Sequence, residues 1–251
     1  MAQRWHKIAM VITYNNIKVI GFDADDTLWV NETYFREGEE KFAQLMQQYE
    51  TINQIDQELF KTEIDNLAIY GYGVKGFVLS MIETAVELSN HQVSNQTIQD
   101  ILNIGKTMLN KPVELLDGVV ETLEILSKSH RLVLATKGDL LDQERKLEKS
   151  GLTKYFHHIE VLTDKKQKNY SAILQHLDIQ ASEFLMVGNS LKSDVLPVVA
   201  LGAHAIHIPF HTTWQHELVD SKQLANSHYL TIDKLTQVID IVTPKKALDS
   251  Q

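Results

Sequence analysis

The feature that most restricts what this chain can fold into is an alternation that begins near residue 113, where short apolar runs take turns with helical stretches. Asp117-Gly118 opens a helix carrying Val119, Leu123 and Leu126, Arg131 to Ala135 reads as a strand, and Leu140 to Lys149 reads as a helix ended by Gly151. Strands over Ile159 to Leu162, Phe184 to Val187 and Ala205 to Pro209 follow, with helices over Tyr170 to Leu177 and Val195 to Leu201 between them. The tail, Tyr229 to Val242, adds a short strand and a helix. Strands separated by helices pair in parallel, since a parallel neighbour is reached only through a long crossover. An earlier apolar run, Ile17 to Ile20, supplies one more buried strand. The expected framework is an α/β fold.

Between that first strand and the alternation, the pattern is helical throughout. After Trp29, the positions Tyr34, Gly38, Lys41, Phe42, Leu45, Met46 and Tyr49 recur at helical intervals, with Asn31 placed to cap the start. Ile52 to Ile69 and Val74 to Leu88 continue in the same way, and Ile98, Ile101, Leu102, Gly105, Met108 and Leu109 mark a further helix. Lys111-Pro112 closes the stretch, because the residue before a proline is pushed out of helical geometry. The reading is a framework of residues 1–29 and 113–251, interrupted by an all-helical insert over 30–112.

Composition narrows the function. With 251 residues, 43% of them hydrophobic, the chain can bury a full core. No apolar run approaches the roughly 18 residues that span a bilayer, so no membrane partner is expected. The segment Met1 to Asn16 carries Arg4, Lys7 and an apolar patch from Ile8 to Ile12, but it has no small-residue cleavage site and reads as an irregular or edge segment. The absence of cysteine excludes disulfides and thiolate metal sites and fits a reducing cytoplasm. A formal net charge of -9 argues against a nucleic-acid polymer as partner. An anionic substrate would need a local positive site.

Each strand exits into polar residues. The first leads into Asp23-Ala24-Asp25-Asp26-Thr27, the second into Thr136-Lys137-Gly138-Asp139, the third into Thr163-Asp164-Lys165 and the fourth into Gly188-Asn189-Ser190, with Asp194 soon after. Residues at i and i+2 share a face while the chain is extended, so Asp23 and Asp25 can both reach the crevice beyond the strand's carboxyl end, where open α/β sheets place their chemistry. Carboxylates crowded this closely repel unless a cation sits among them. A calcium loop would need glycine where Leu28 stands. A carboxylate nucleophile, a hydroxyl, a lysine and a second acidic cluster are the parts that phosphoryl transfer requires. His204, His207, His211 and His216 are close in sequence, but strand alternation through Ala205 and His207 sends neighbours to opposite faces, which argues against a zinc site.

In these four motifs, and in the helical insert between the first two, the chain resembles the haloacid dehalogenase superfamily on its phosphatase side. Motif I is similar to Asp23-Ala24-Asp25-Asp26-Thr27-Leu28, motif II to Leu134-Ala135-Thr136-Lys137-Gly138, motif III to Asp164-Lys165, and motif IV to Val187-Gly188-Asn189-Ser190-Leu191-Lys192-Ser193-Asp194. The resemblance implies a Rossmann-like core with a helical cap, and Mg²⁺-dependent hydrolysis, through an aspartyl-phosphate, of a small phosphorylated metabolite such as a nucleotide, sugar phosphate or phosphoglycolate. It implies Asp23 as nucleophile, Asp25 as acid and base, and Thr136 and Lys165 holding the transferring group. Mg²⁺ would be held by Asp23, the Asp25 carbonyl and motif IV.

Several assignments stay open at this point. Motif IV has Asn189 where aspartate is common in relatives, so either Asn189 or Asp194 is the direct metal ligand. Lys165 is favoured over Lys166 by its place just after the strand. Lys137, where relatives often carry asparagine, and Gly138 would add substrate contacts. The stretch Tyr70-Gly71-Tyr72-Gly73-Val74-Lys75-Gly76-Phe77 either selects the leaving group, through Tyr72 and Lys75, or simply turns the chain. Trp29 and His211 are further candidates for the rim. Carbon-halogen hydrolysis and non-catalytic binding are the alternative functions.

Overall fold

The computed structural model describes residue 14, residues 16–224 and residues 227–243. Apart from Tyr14 and Asn16, the amino-terminal segment read above as irregular lies outside the described residues. Strand β1 (Val19–Phe22) is fully buried and starts two residues later than the apolar run Ile17 to Ile20 suggests. The shift follows from pairing: Val19 lies opposite Arg131 on one neighbour and Phe184 on the other, so Ile17 packs as an approach to the ladder. As a result, Asp23 stands immediately beyond the strand.

The helices α1 (Glu32–Met46), α2 (Ile52–Tyr70), α3 (Val74–Leu88) and α4 (Asn95–Asn110) follow, with bounds close to those read from periodicity. The alternation then runs α5 (Val119–Leu126), β2 (Arg131–Lys137), α6 (Leu140–Ser150), β3 (His158–Leu162), α7 (Gln167–His176), β4 (Phe184–Gly188), α8 (Leu196–Val199), β5 (His204–His207), α9 (Ser221–Leu224), β6 (Leu230–Thr231) and α10 (Gln237–Val242). All strands pair in parallel, in the order β3-β2-β1-β4-β5-β6. The fold is an α/β, Rossmann-like sheet flanked by helices. After β1 the chain runs out through β2 to β3 and then returns to place β4 on the other side of β1. The carboxyl ends of β1 and β4 therefore flank a point where strand order reverses, and such points open a crevice.

The period of two along each strand divides the core into two layers. Ile20, Phe22, Leu132, Leu134, Leu185 and Val187 pack on one face with α5, α6 and α10. Val19, Val133, Ala135, Phe184 and Met186 pack on the other with α7 and α8. Each large apolar side chain buried in these layers contributes about 1.5–3 kcal/mol. The insert has its own apolar cluster, built from Phe42, Met46, Ile55, Leu59, Phe77, Met81 and Ile101. Its two links to the sheet run side by side: Val30 N donates to Glu114 O, Leu116 N donates to Leu28 O, and Trp29 bridges Leu115 antiparallel. Among the described residues, no helix is long and apolar enough to cross a membrane.

Two expectations need correction. Asn31 occupies the cap position of α1, but its side chain makes no capping bond. The cap is Asp26, whose carboxylate accepts from the Asn31 and Glu32 amides at 2.9 and 3.0 Å. Asp26 reaches them because it adopts a left-handed backbone, φ +61°, which aspartate tolerates better than most residues. The second correction concerns the helix expected over Val195 to Leu201, which is preceded by a π-helical turn, Leu191–Val195, and is shorter than its sequence suggests. Pro197 has no amide to give the Ser193 carbonyl, and the Tyr170 hydroxyl donates to that carbonyl instead, at 3.0 Å.

Candidate active site

Asp23 is placed by its own backbone amide, which donates to Val187 O at 2.9 Å and so extends the β1–β4 pairing by one residue. Its side chain is buried. Lys165 Nζ, on the loop between β3 and α7, donates to Asp23 Oδ1 at 2.5 Å and to Asp194 Oδ1 at 2.6 Å, with the lysine side chain 1% exposed. The Thr27 hydroxyl donates to Asp23 Oδ2 at 3.3 Å and lies 3.5 Å from Asn189 Oδ1. Thus Asp23 has one oxygen toward the lysine and the other toward a hydroxyl shared with Asn189.

Burial pushes the Asp23 carboxyl up to about 7, against the pull of Lys165, while Asp194 and Asp25 add repulsion. Lys165 is raised: burial alone would lower it, and the two carboxylates overcome that. Two carboxylates sharing one buried ammonium leave a negative charge without a counterion among these three groups.

Asp194 is held on both oxygens. Oδ1 takes Lys165, and Oδ2 accepts from the Ser190 amide at 3.0 Å. A β-carbon on Gly188 would come within 2.3 Å of Asp194 Oδ2, so only glycine lets this carboxylate lie against the end of β4. Asn189 has its side-chain oxygen on the Asp23 side, and its backbone carbonyl lies 3.0 Å from His207 Nε2.

The Asp25 carboxylate accepts from Trp29 Nε1 at 2.7 Å, Gln143 Nε2 at 2.8 Å and Lys146 Nζ at 2.5 Å. Trp29 is therefore no rim residue. It is fully buried and fixes Asp25 from below. Asp23 and Asp25 both line one cavity of about 170 Å³, together with Thr136, Lys165, Asn189 and Asp194. The far wall comes from the insert: Phe35, Glu39, Glu63, Phe77 and the turn Gly71 to Gly73. Burial pushes Glu63 up to about 8, and it pushes Glu39 up to about 7 against the pull of Arg36.

The remaining candidates divide. Thr136, Lys137, Gly138 and Tyr72 line the cavity. The Lys137 ammonium is not a free charge: it donates to Ser193 Oγ at 2.9 Å and Glu217 Oε1 at 2.7 Å, and it lies 4.3 Å from the Tyr72 ring centroid. Lys75 stays outside the lining and pairs with Asp139 at 2.9 Å. Lys166 is exposed and pairs with Asp164 at 2.6 Å, so the buried lysine is Lys165. His211 lies against the Phe210 ring, 4.0 Å between centroids, away from the cavity wall formed by Thr212 to Trp214.

Sequence reasoning missed Gln143, Lys146, Tyr170 and Glu217. Gln143 and Lys146 stand three apart on α6 and so share a face, a detectable signal once that helix is set beside motif I. Glu217 had none. Its Oε2 accepts from the hydroxyls of Ser190 and Ser193, 27 and 24 positions away. Burial would raise Glu217, but Lys137 and these hydroxyls pull it down to about 2.

Residues 17–202 match the family model described as hydrolase, haloacid dehalogenase-like hydrolase. A haloacid dehalogenase-like family hydrolase from Xanthomonas campestris is 42% identical, with a TM-score of 0.75 over 82% of this chain and 86% of that one. The HAD-hydrolase YfnB from Bacillus subtilis, solved bound to magnesium, is 17% identical, with a TM-score of 0.61 over 91% and 100% of the two chains. A 2-haloacid dehalogenase from Pseudomonas syringae pv. Tomato DC3000 is 19% identical, with a TM-score of 0.58 over 90% and 98%. At such identities the last two likenesses speak for the fold alone. No curated protein matches the chain. With the family model spanning most of the chain and a 42% identical relative, the chain belongs to the haloacid dehalogenase-like hydrolases.

Proposed function

We propose that the protein is a Mg²⁺-dependent phosphatase that hydrolyses a small phosphomonoester through an aspartyl-phosphate on Asp23. The observation that carries this reading is that two carboxylates line one cavity in different settings. Asp23 is buried beside Lys165, and Asp25 is held by Trp29, Gln143 and Lys146. Breaking a phosphate ester releases an alkoxide that needs a proton, whereas breaking a carbon–halogen bond releases halide, which needs none. A second carboxylate beside the nucleophile therefore favours the ester.

The donor set fits a hard cation. Asp23 Oδ2 and Asn189 Oδ1 converge on the Thr27 hydroxyl, and both are oxygen ligands of the kind Mg²⁺ takes. Asp194 has both oxygens engaged, so Asn189 is the motif IV residue suited to bind directly, with the Asp25 carbonyl as a further donor. When bound, the ion neutralises charge on the phosphoryl oxygens. In the first step a carboxylate oxygen of Asp23 bonds to phosphorus as the ester P–O bond breaks, and Asp25 gives its proton to the departing oxygen. In the second, Asp25 takes a proton from water, whose oxygen attacks phosphorus and frees Asp23 and inorganic phosphate. Lys165 holds Asp23 and faces the transferring group with Thr136.

The helical insert serves as the cap, and its wall shapes the leaving group. Glu39 and Glu63, whose carboxyls burial pushes up to about 7 and about 8, can hydrogen-bond that leaving group from the insert's side of the cavity. The lack of cysteine fits a cytoplasmic setting. A panel of phosphomonoesters and 2-haloacids, assayed with Mg²⁺, tests all of this. Phosphate release is expected, to be abolished by Asp23→Asn and reversibly by EDTA. Halide release without phosphate release would overturn the reading.

A further inference from the structure

On the edge strand of the sheet, far along the chain from motif I, His158, Glu160 and His176 form a cluster that the reaction does not use. His158 and Glu160 stand two apart on β3 and so share a face, while His176 ends α7, the helix that follows β3. Glu160 Oε1 lies 2.7 Å from His158 Nε2 and 3.7 Å from His176 Nδ1. The two imidazole rings are 4.6 Å apart between centroids. One ligand atom from each residue falls within 4.8 Å of the others.

The geometry points to a second metal site, which takes a borderline transition-metal dication such as Zn²⁺ on these three side chains. Metal–ligand bonds of about 2.0–2.2 Å put neighbouring ligand atoms of a tetrahedral site roughly 3.3 Å apart. The observed 2.7 and 3.7 Å bracket that spacing. Closing the site requires a small opening of the His158–Glu160 contact and an inward rotation of His176, whose side chain is 62% exposed. Two imidazoles and one carboxylate form a common protein donor set for zinc, with water completing the fourth position. Imidazole nitrogen selects against Mg²⁺, which prefers oxygen, so this site and the one beside Asp23 take different ions.

Its consequence is local. The loop joining β3 to α7 carries Lys165, and a metal spanning His158, Glu160 and His176 would tie the strand to the far end of that helix. Occupancy therefore closes the unit that holds Lys165 in place.

Titration of the full chain with Co²⁺ in excess Mg²⁺ tests the site, because four-coordinate Co²⁺ gives an intense visible band and Mg²⁺ occupies the oxygen-rich site. One equivalent of Co²⁺, displaced by Zn²⁺, is expected. His176→Ala, at an exposed position, should weaken Zn²⁺ binding by at least the roughly tenfold that losing even an outer partner costs. His158→Ala should do the same, and Asp23→Asn should leave it unchanged. The inference is overturned by the absence of saturable Co²⁺ binding at micromolar concentrations. It is equally overturned by binding that survives both histidine variants, or by binding that disappears with Asp23→Asn. Thermal melting with and without Zn²⁺ gives a second reading: the wild type should rise in Tm, and His176→Ala should not.

Discussion

Glu217 shows how much one side chain can be asked to do at the edge of such a site. Its carboxylate gathers Lys137, Ser190 and Ser193, and so joins motif II to motif IV through a residue that belongs to neither. Because its folded pKa, about 2, lies below its ordinary 4.5, the fold favours the charged form. The resulting stability is complete above about pH 4.5 and is lost as pH falls toward 2. It amounts to about 3 kcal/mol. Glu217→Gln should therefore lower stability by an amount of that order at pH 7 and by about half that or less at pH 3, as measured by urea unfolding at the two values. An equal loss at both would show that the side chain acts by shape alone. Asp25 calls for a different experiment. Asp25→Asn should reduce turnover of alkyl phosphates far more than of aryl phosphates, since a good leaving group departs without a proton. Equal losses would argue against its acid role.

Among the elements, the π-helical turn after β4 sets Asp194 against the end of that strand. Here the chain must swing Asp194 back against Gly188 within six residues, and Pro197 removes the amide that would have served Ser193. Tyr170, from α7, replaces it with a hydroxyl and also lies 3.5 Å from Asp194 Oδ1. Tyr170→Phe leaves the buried Ser193 carbonyl without that donor, at a cost of about 1–3 kcal/mol. The same change should depress kcat, since the turn it supports carries the carboxylate that shares Lys165 with Asp23. Denaturation and initial-rate measurements on the one variant check both. Unchanged stability would mean that the carbonyl finds another donor.

At the scale of the molecule, two hydrophobic clusters belong to the sheet and a third to the helical insert, so the cavity lies between bodies with separate cores. The Lys75–Asp139 pair crosses between them, and the Tyr72 ring meets Trp214 edge-on at 6.1 Å. Lys75 is half exposed, so the pair contributes less than about 1 kcal/mol to folding. Its importance is to position. Lys75→Ala should leave the unfolding midpoint nearly unchanged while amide exchange quickens in residues 71–76 and KM rises. Unaltered exchange would show that the contacts of Tyr72 with Trp214 and Lys137 hold the turn without the pair.

The order of elements, the parallel sheet, the helical insert and the four strand ends that meet at the site were all legible before folding was considered. This is so because periodicity and strand-end chemistry are local: a buried strand must be apolar, and its exit is where polar side chains become useful. That Lys165, and not Lys166, is the buried lysine beside Asp23 was legible for the same reason, from its place just after β3. Which oxygens are left to bind an ion emerges from long-range contacts alone. Asp194 carried no sequence mark that both its carboxylate oxygens would be taken, nor did Asn31 show that Asp26 would cap α1 in its place. Lys137 read as a charge facing substrate until Glu217, 80 positions away, proved to pair with it. Such outcomes depend on hydrogen-bond partners from remote segments, and the folded sheet brings those segments within 3 Å of one another without any trace in local pattern.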